Sequence, residues 1–288
     1  FDKIERDEVG ALWVYYTPVP DRPLKPGETG QRVKVSTRMV IGADGARSPV
    51  AKQHIPKADK TKYVFAYHEI IQSPDDVENH DAERCDVYYQ GSVSPDFYGW
   101  VFPHGKTTSV GTGSADKGFS LRSATGHLRH IAGLADQPVL RREGAPIPLK
   151  PLPHWDNGRD ILVVGDAAGV VAPSSGEGIY YAMDCGRTMA RAAHEALKTG
   201  NPKHLKAGRK RFMKQHGKVF WILGVMQYFW YQNDKRREKF VKICEDKDVQ
   251  KLTFDAYMNK ELAKRDPWAH VRIFLKDMAH LLGLAKVG

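Results

Sequence analysis

Apolar and polar positions alternate with two different periods along this chain, and the change of period marks its parts. Residues 10–17 (GALWVYYT) and 32–41 are short runs of β-branched and aromatic residues, which predict two strands joined by a Pro- and Gly-rich hairpin loop over 18–30. Between 63 and 113 the runs KYVFAYHEII, CDVYYQG, FYGWVFP and TTSVGTG alternate at a period near two and are broken by turns, the pattern of a mostly antiparallel sheet. Tyr98, Trp100 and Phe102 fall on one face at that period, either as a packed sheet face or as an apolar wall for a long hydrocarbon. Residues 120–134 predict a helix and 146–153 a proline-spaced connection. Residues 161–164 are wholly apolar and β-branched, as in a strand buried on both faces of a parallel sheet. A helical period follows to about Leu197. After Gly200-Asn201-Pro202, a stop, the pattern is helical again to the C-terminus, with 271–284 a second amphipathic segment.

Two of these strands end in a turn that carries an acid and glycines before a helix. Strand 161–164 runs into Gly165-Asp166-Ala167-Ala168-Gly169, and after Pro173-Ser174-Ser175 come Gly176-Glu177-Gly178 and the helix. A strand, a glycine-rich turn and a helix N-terminus form an anion site, because free backbone N–H groups and the helix dipole point at one place. An acid just after such a strand can accept hydrogen bonds from ligand hydroxyls. The alternative is an ordinary turn with Asp166 as a helix cap. Two glycine clusters around one acid favour a ligand with phosphate and sugar-like hydroxyls. Strand 32–41 ends in Gly42-Ala43-Asp44-Gly45, and Ser48-Pro49 reads as a cap followed by proline at the first helical position. The two strands are predicted to lie side by side, with Asp44 and Asp166 facing a common cleft.

With 288 residues, 41% of them hydrophobic, the chain can bury one or two sizeable cores. A net charge of +10 points to anionic partners: a membrane surface, pyrophosphates or nucleic acid. Cys85, Cys185 and Cys244 are odd in number and lack CxxC spacing, which argues for a reducing compartment and against a zinc site. No stretch reads as a signal peptide, and no apolar run approaches the ~18 residues of a membrane span. The basic residues concentrate in 203–218 and at Lys235-Arg236-Arg237, flanking VFWILGVMQYFWY (219–231). That segment reads as a core helix or as an interfacial one whose basic flanks and aromatics suit a lipid headgroup region. No nucleic-acid module is recognisable.

GDAAGVVAPSSGEGI resembles the second flavin fingerprint of the FAD enzymes built like p-hydroxybenzoate hydroxylase. Within them it most resembles the geranylgeranyl reductase family, in its chlorophyll and bacteriochlorophyll branch. Aromatic hydroxylases usually have His at the position of Gly169 and Gln at that of Glu177. The resemblance implies that Gly165, Asp166 and Gly169 hold the ribityl or pyrophosphate part of FAD, and that Gly176, Glu177, Gly178 and Ile179 lie along the isoalloxazine edge. The run Asp44-Gly45 to Lys52 resembles the Asp-Gly fingerprint of the same flavoproteins, which reaches the FAD pyrophosphate near the nicotinamide path, and SxVAK matches the chlorophyll-branch reductases. Pro95 to Pro103 (PxxYxWxFP) resembles a substrate-domain motif of that family, which makes Tyr98, Trp100 and Phe102 prenyl-binding.

The implied fold is α/β (α+β). An incomplete Rossmann-like FAD-binding domain (1–55 and 156–200) carries an inserted antiparallel-sheet substrate domain (56–155), and a helical C-terminal region (201–288) follows. The family's GxGxxG fingerprint for the ADP half of FAD does not occur before Gly165, so the chain is expected to be an incomplete enzyme. The implied activity is FAD- and NADPH-dependent hydrogenation of a geranylgeranyl group, on (bacterio)chlorophyll or geranylgeranyl diphosphate, to phytyl. The implied location is peripheral, on the cytoplasmic side of a photosynthetic membrane or in a chloroplast, with pigment-synthesis proteins as possible partners. The proton donor stays open among Tyr98, His104 and water, and no metal is called for. The alternatives are an aromatic monooxygenase of the same fold, which Gly169 and Glu177 disfavour, and a non-catalytic membrane-associated assembly protein.

Overall fold

A computed structural model describes residues 1–19, 30–75 and 81–257. In chain order the elements are strands β1 (Lys3–Arg6), β2 (Leu12–Tyr16), β3 (Val33–Thr37) and β4 (Val40–Gly42), then helix α1 (Pro49–His54). Strands β5 (Tyr63–Gln72), β6 (Asp86–Tyr88), β7 (Gly99–His104) and β8 (Thr107–Ser114) precede α2 (Leu121–Ile131), β9 (Val139–Pro148) and β10 (Ile161–Val163). Helices α3 (Ile179–Thr199), α4 (Lys203–Trp230), α5 (Asp234–Ile243) and α6 (Lys247–Tyr257) follow. The fold is mixed α/β, with an antiparallel sheet and a helical C-terminal region. It divides into two compact units, Phe1–Tyr63 with Pro146–Gly224 and Val64–Ala145 with Val225–Gly288. Most of the expected hairpin loop, 20–29, and the amphipathic segment 271–284 lie outside the described residues.

In the first unit β1, β2 and β3 form an antiparallel sheet, and β4 pairs parallel with β10, Val40 beside Ile161 and Gly42 beside Val163. The single strand expected over 32–41 is therefore two. Thr37 Oγ1 donates to the carbonyl of Met39 at 2.9 Å, turning the chain so that β3 joins one sheet and β4 the other. Ile161, Leu162 and Val163 are all buried, as a strand covered on both faces requires. They share one core with Val50, Ile55 and Trp155, with Tyr181, Cys185 and Met189 of α3, and with Leu205, Phe212 and Phe220 of α4. Helix α1 starts where Ser48 and Pro49 predict. The Ser48 Oγ accepts the Ala51 N–H at 2.8 Å, a cap that stabilises a helix by about 1 kcal/mol.

In the second unit the strand order is β6-β7-β8-β5-β9. One sheet face packs on α2 around Ile71, Val101, Val110 and Leu128. Glu69 is buried on that face because three donors reach it: Tyr67 Oη at 3.0 Å, Arg129 at 2.8 Å and Arg142 at 3.2 Å. These hydrogen bonds outweigh the burial that would raise its pKa and hold the carboxyl below the ordinary value. Strand β9 runs through Pro148, so of the connection expected over 146–153 the first three residues are strand and 149–153 are not. An edge strand tolerates Pro146 and Pro148 because an outward-facing N–H has no ladder partner to lose.

Candidate functional site

The turn after β10 is one 3-10 turn, Gly165–Ala168, closed by Gly169 at φ +76°. A Cβ at Gly169 would stand 2.5 Å from the carbonyl oxygen of Lys150, so backbone packing as well as backbone conformation demands glycine there. The turn delivers Asp166 half-buried into a small cavity that Ser48, Lys52, Thr61, Tyr63 and Gly169 also line. Among the described residues no donor reaches the Asp166 carboxylate, and burial pushes its pKa above the ordinary value. A half-buried acid without a partner is a cost to the protein and an acceptor for a ligand.

Asp44 has the opposite fate. Its Oδ1 accepts from Ser48 Oγ at 2.5 Å and its Oδ2 from the Val50 N–H at 3.1 Å, so its acceptors serve the start of α1. The parallel pairing of β4 with β10 is as predicted, but of the two acids only Asp166 lines the cavity. Gly45 sits in the intervening turn at φ +77°, with open space where a Cβ would be.

Residues 172–177 close on themselves: the Ala172 N–H donates to the carbonyl of Glu177 at 2.8 Å, and the Gly176 N–H to that of Ala172 at 2.9 Å. Gly176 holds φ +67° in this loop. The 21-residue helix α3 then begins at Ile179 with Gly178 before it, no side chain capping it and no acid in its first turn. Its N-terminal dipole places partial positive charge at this point. A Cβ at Gly178 would come within 3.3 Å of Asp166 Oδ1, which sets the helix start beside the unpartnered carboxylate. Ile179 and Met183 stand 80% and 71% exposed beside it, an apolar ledge. The arrangement suits a ligand with hydroxyl donors for Asp166, an electronegative edge for the helix start and a flat apolar body. Cys185 behind it is no nucleophile, since burial pushes its thiol up to about 12.

Deeper between α3 and α4 lies a buried polar pair that the sequence did not announce. His216 Nε2 meets Asp184 Oδ2 at 2.9 Å, and Arg187 donates to Asp184 Oδ1 at 2.6 Å. Burial would raise the Asp184 pKa, but the hydrogen bonds from His216 and Arg187 outweigh it and hold the carboxyl below its ordinary value.

In the second unit Tyr98, immediately before β7, and Trp100 and Phe102 within it form a ladder of ring contacts at 6.0 and 6.3 Å. Val101 points the other way, into the core under α2. Tyr98 is buried, stacked on Phe97 at 4.4 Å, whereas Trp100 and Phe102 are half-buried. His104 ends the strand, exposed. Sequence reasoning missed His68, whose register partner Gly111 is also that of Trp100. Its Nδ1 meets Ser109 Oγ at 2.9 Å and its Nε2 meets Glu143 at 3.1 Å, while Trp100 Nε1 donates to the same Ser109 at 3.1 Å. The run of tyrosines and histidine around it holds no spacing that marks this chain of contacts.

The fold and the turn after β10 define a flavoprotein: residues 22–212 match the FAD binding domain family. The geranylgeranyl diphosphate reductase of Rhodobacter capsulatus is 52% identical over 98% of this chain and 69% of its own length. The chloroplastic enzyme of that name from Oryza sativa subsp. japonica is 33% identical over 95% of this chain and 59% of its own length. Of these two curated relatives, then, the chain spans 69% and 59% of the length. A solved structure from Thermoplasma acidophilum, described as geranylgeranyl bacteriochlorophyll reductase-like, superposes with a TM-score of 0.67 over 88% of this chain and 64% of its own, at 21% identity. That likeness shows the fold. The chain belongs to the geranylgeranyl reductase family.

Proposed function

We propose that the protein carrying this chain is an FAD-dependent, NADPH-using reductase that hydrogenates double bonds of a geranylgeranyl group to give phytyl. The group is carried on (bacterio)chlorophyll or as geranylgeranyl diphosphate, and the reaction belongs to chlorophyll and bacteriochlorophyll synthesis. The observation that carries the reading is Asp166, which no donor among the described residues reaches, beside the start of α3, which no described side chain caps, in a chain 52% identical to a geranylgeranyl diphosphate reductase. Asp166 would accept hydrogen bonds from the ribityl or pyrophosphate side of FAD, between Gly165 and Gly169. The 176–179 backbone would run along the isoalloxazine edge, with the positive end of α3 near the ring's electronegative rim. Asp44 and Gly45 would serve the pyrophosphate through the start of α1. Bound flavin would supply hydride taken from NADPH.

The remaining work is positioning and proton supply. Trp100 and Phe102, half-buried with Tyr98 behind them, offer hydrocarbon contact on the sheet face that α2 leaves uncovered. His68, held by Ser109 and Glu143 on that same face, joins Tyr98 and His104 as a group able to give the proton. The histidine that hydroxylases usually have at 169 would collide with the Lys150 carbonyl, so this turn does not accept the hydroxylase residue. The protein would work at a membrane surface.

The test is turnover of the full-length protein with NADPH on geranylgeranyl diphosphate and on geranylgeranyl-esterified pigment. Chromatography of the tails should show stepwise loss of double bonds, matched mole for mole by NADPH oxidised. Oxygen-dependent hydroxylated product, or protein that purifies without flavin, would overturn the reading.

A further inference from the structure

We propose that the outer face of α4 is a docking surface for an anionic lipid bilayer, with its aromatic half seated among the headgroups and its basic half lying against lipid phosphates. This rests on the reading that the reductase works at a membrane, and it names the element that makes the contact.

Lys214, Lys218, Trp221, Val225 and Tyr228 recur at intervals of three and four along one continuous helix and so share one side of it. Trp221 is 71% exposed and Tyr228 76%, with Ile222 and Val225 also exposed beside them. The stripe is about 21 Å long at 1.5 Å per residue. The opposite side of the same helix is committed to the core, through Leu205, Phe212 and Phe220. That packing holds the outer face as far as Trp221, and the helix continues unbroken to Trp230.

Contiguous exposed aromatic and aliphatic side chains on one helix mark an interaction surface. Charge selects the occupant. No Asp or Glu occurs between Lys203 and Trp230, while seven Lys and Arg do. A second copy seated on this stripe would set lysine against lysine with no acid on the helix to pair them. Nucleic acid would match the lysines but offers nothing to Val225 and Ile222. An anionic bilayer supplies both halves, phosphates for the lysines and a headgroup boundary where indole and phenol rings are most stable. The contact lies on the membrane: no helix among the described residues is long and apolar enough to cross one.

The experiment is co-sedimentation of the full-length, flavin-loaded protein with phosphatidylcholine vesicles, with and without phosphatidylglycerol. Binding is expected only with phosphatidylglycerol present and should weaken as salt rises. The pairs Lys214→Glu/Lys218→Glu and Trp221→Ser/Tyr228→Ser should each lower partitioning about tenfold or more. Flavin content and turnover on detergent-dissolved substrate should stay at the parent level. Unchanged vesicle binding in both variants would overturn the proposal. So would self-association of the lipid-free protein that the Trp221→Ser/Tyr228→Ser pair abolishes, which would put a second copy on the stripe. Resistance of Trp221 and Tyr228 to hydroxyl-radical oxidation before vesicles are added would place another part of this chain there and would equally refute it. A parent protein that binds vesicles through the stripe but reduces no prenyl chain would sink the reductase reading and leave this one standing.

Discussion

Replacing Asp166 by asparagine should move flavin affinity and apoprotein stability in opposite directions, which no purely structural role of this residue would do. The carboxylate lines the cavity beside the start of α3, no described donor reaches it, and burial alone lifts its pKa. When FAD is bound, the side chain would accept a hydrogen bond to an ionised group, worth roughly 1.5–3 kcal/mol. Asparagine keeps the shape and loses the charge, so flavin affinity in the full-length enzyme should fall by one to two decades, at about 1.4 kcal/mol per decade.

Without flavin the sign reverses. An acid whose folded pKa is raised contributes stability that is fully present below its unfolded pKa and is lost as pH rises through the folded value. At neutral pH the apoprotein therefore carries the cost of an ionised, half-desolvated carboxylate, and Asp166→Asn removes it. Stripped of flavin, the Asp166→Asn variant should melt at or above the parent at pH 7, and the difference should close as pH drops below the ordinary carboxylate range. Flavin titration by fluorescence quenching and thermal melts of stripped protein at both pH values check the pair of effects. Undiminished affinity, or an apoprotein that melts lower at pH 7, would refute the reasoning.

Gly169→Ala should destabilise by roughly 1–3 kcal/mol from a residue forced into left-handed backbone and against the Lys150 carbonyl, read as a lowered denaturant midpoint with unchanged slope. Asp184→Ala leaves His216 buried without its acceptor and should cost about 1–3 kcal/mol at pH 7. Because the Asp184 pKa is lowered, its contribution is present above the ordinary carboxylate pKa and is lost as pH falls through the folded value, so parent and variant melts should converge in acid. Trp100→Ala should cut turnover on prenyl substrate by one to two decades while flavin content and melting temperature hold, since the indole lies on the sheet face away from the α2 core. Early melting with flavin loss would instead make Trp100 a core residue.

What the sequence made legible were the features whose cause is local. Ser48-Pro49 starts α1 because a cap and a proline act within one turn. The apolar run at 161–163 and the glycine after it could be read as a buried strand and turn without reference to anything distant. Where the cause is non-local the reading stopped short. A turn at Thr37 splits one expected strand because its two halves have different partners far along the chain. Pro146 looks like a breaker until it is known to lie on an edge strand. His68 meets Ser109 and Glu143 across 41 and 75 residues, and Asp184 meets His216 across 32, so no spacing rule links them.

The two acids show why motif likeness alone does not assign chemistry. Asp44 and Asp166 each follow a strand of the same parallel pair and each precede a helix, and in one dimension they are equivalents. What separates them is supply of donors. Ser48 and the Val50 N–H lie within a turn of Asp44, so the carboxylate is satisfied by the helix it starts. After Asp166 the chain must first travel through 169–178 before α3 begins, and Gly178 approaches the acid without offering a side chain. The helix end and the carboxylate are thus neighbours: no side chain among the described residues caps the one, and no described donor reaches the other. One capping serine at position 178 would close this pair at a gain of about 1 kcal/mol, so a glycine there is the choice expected if the proposed flavin is to take that place.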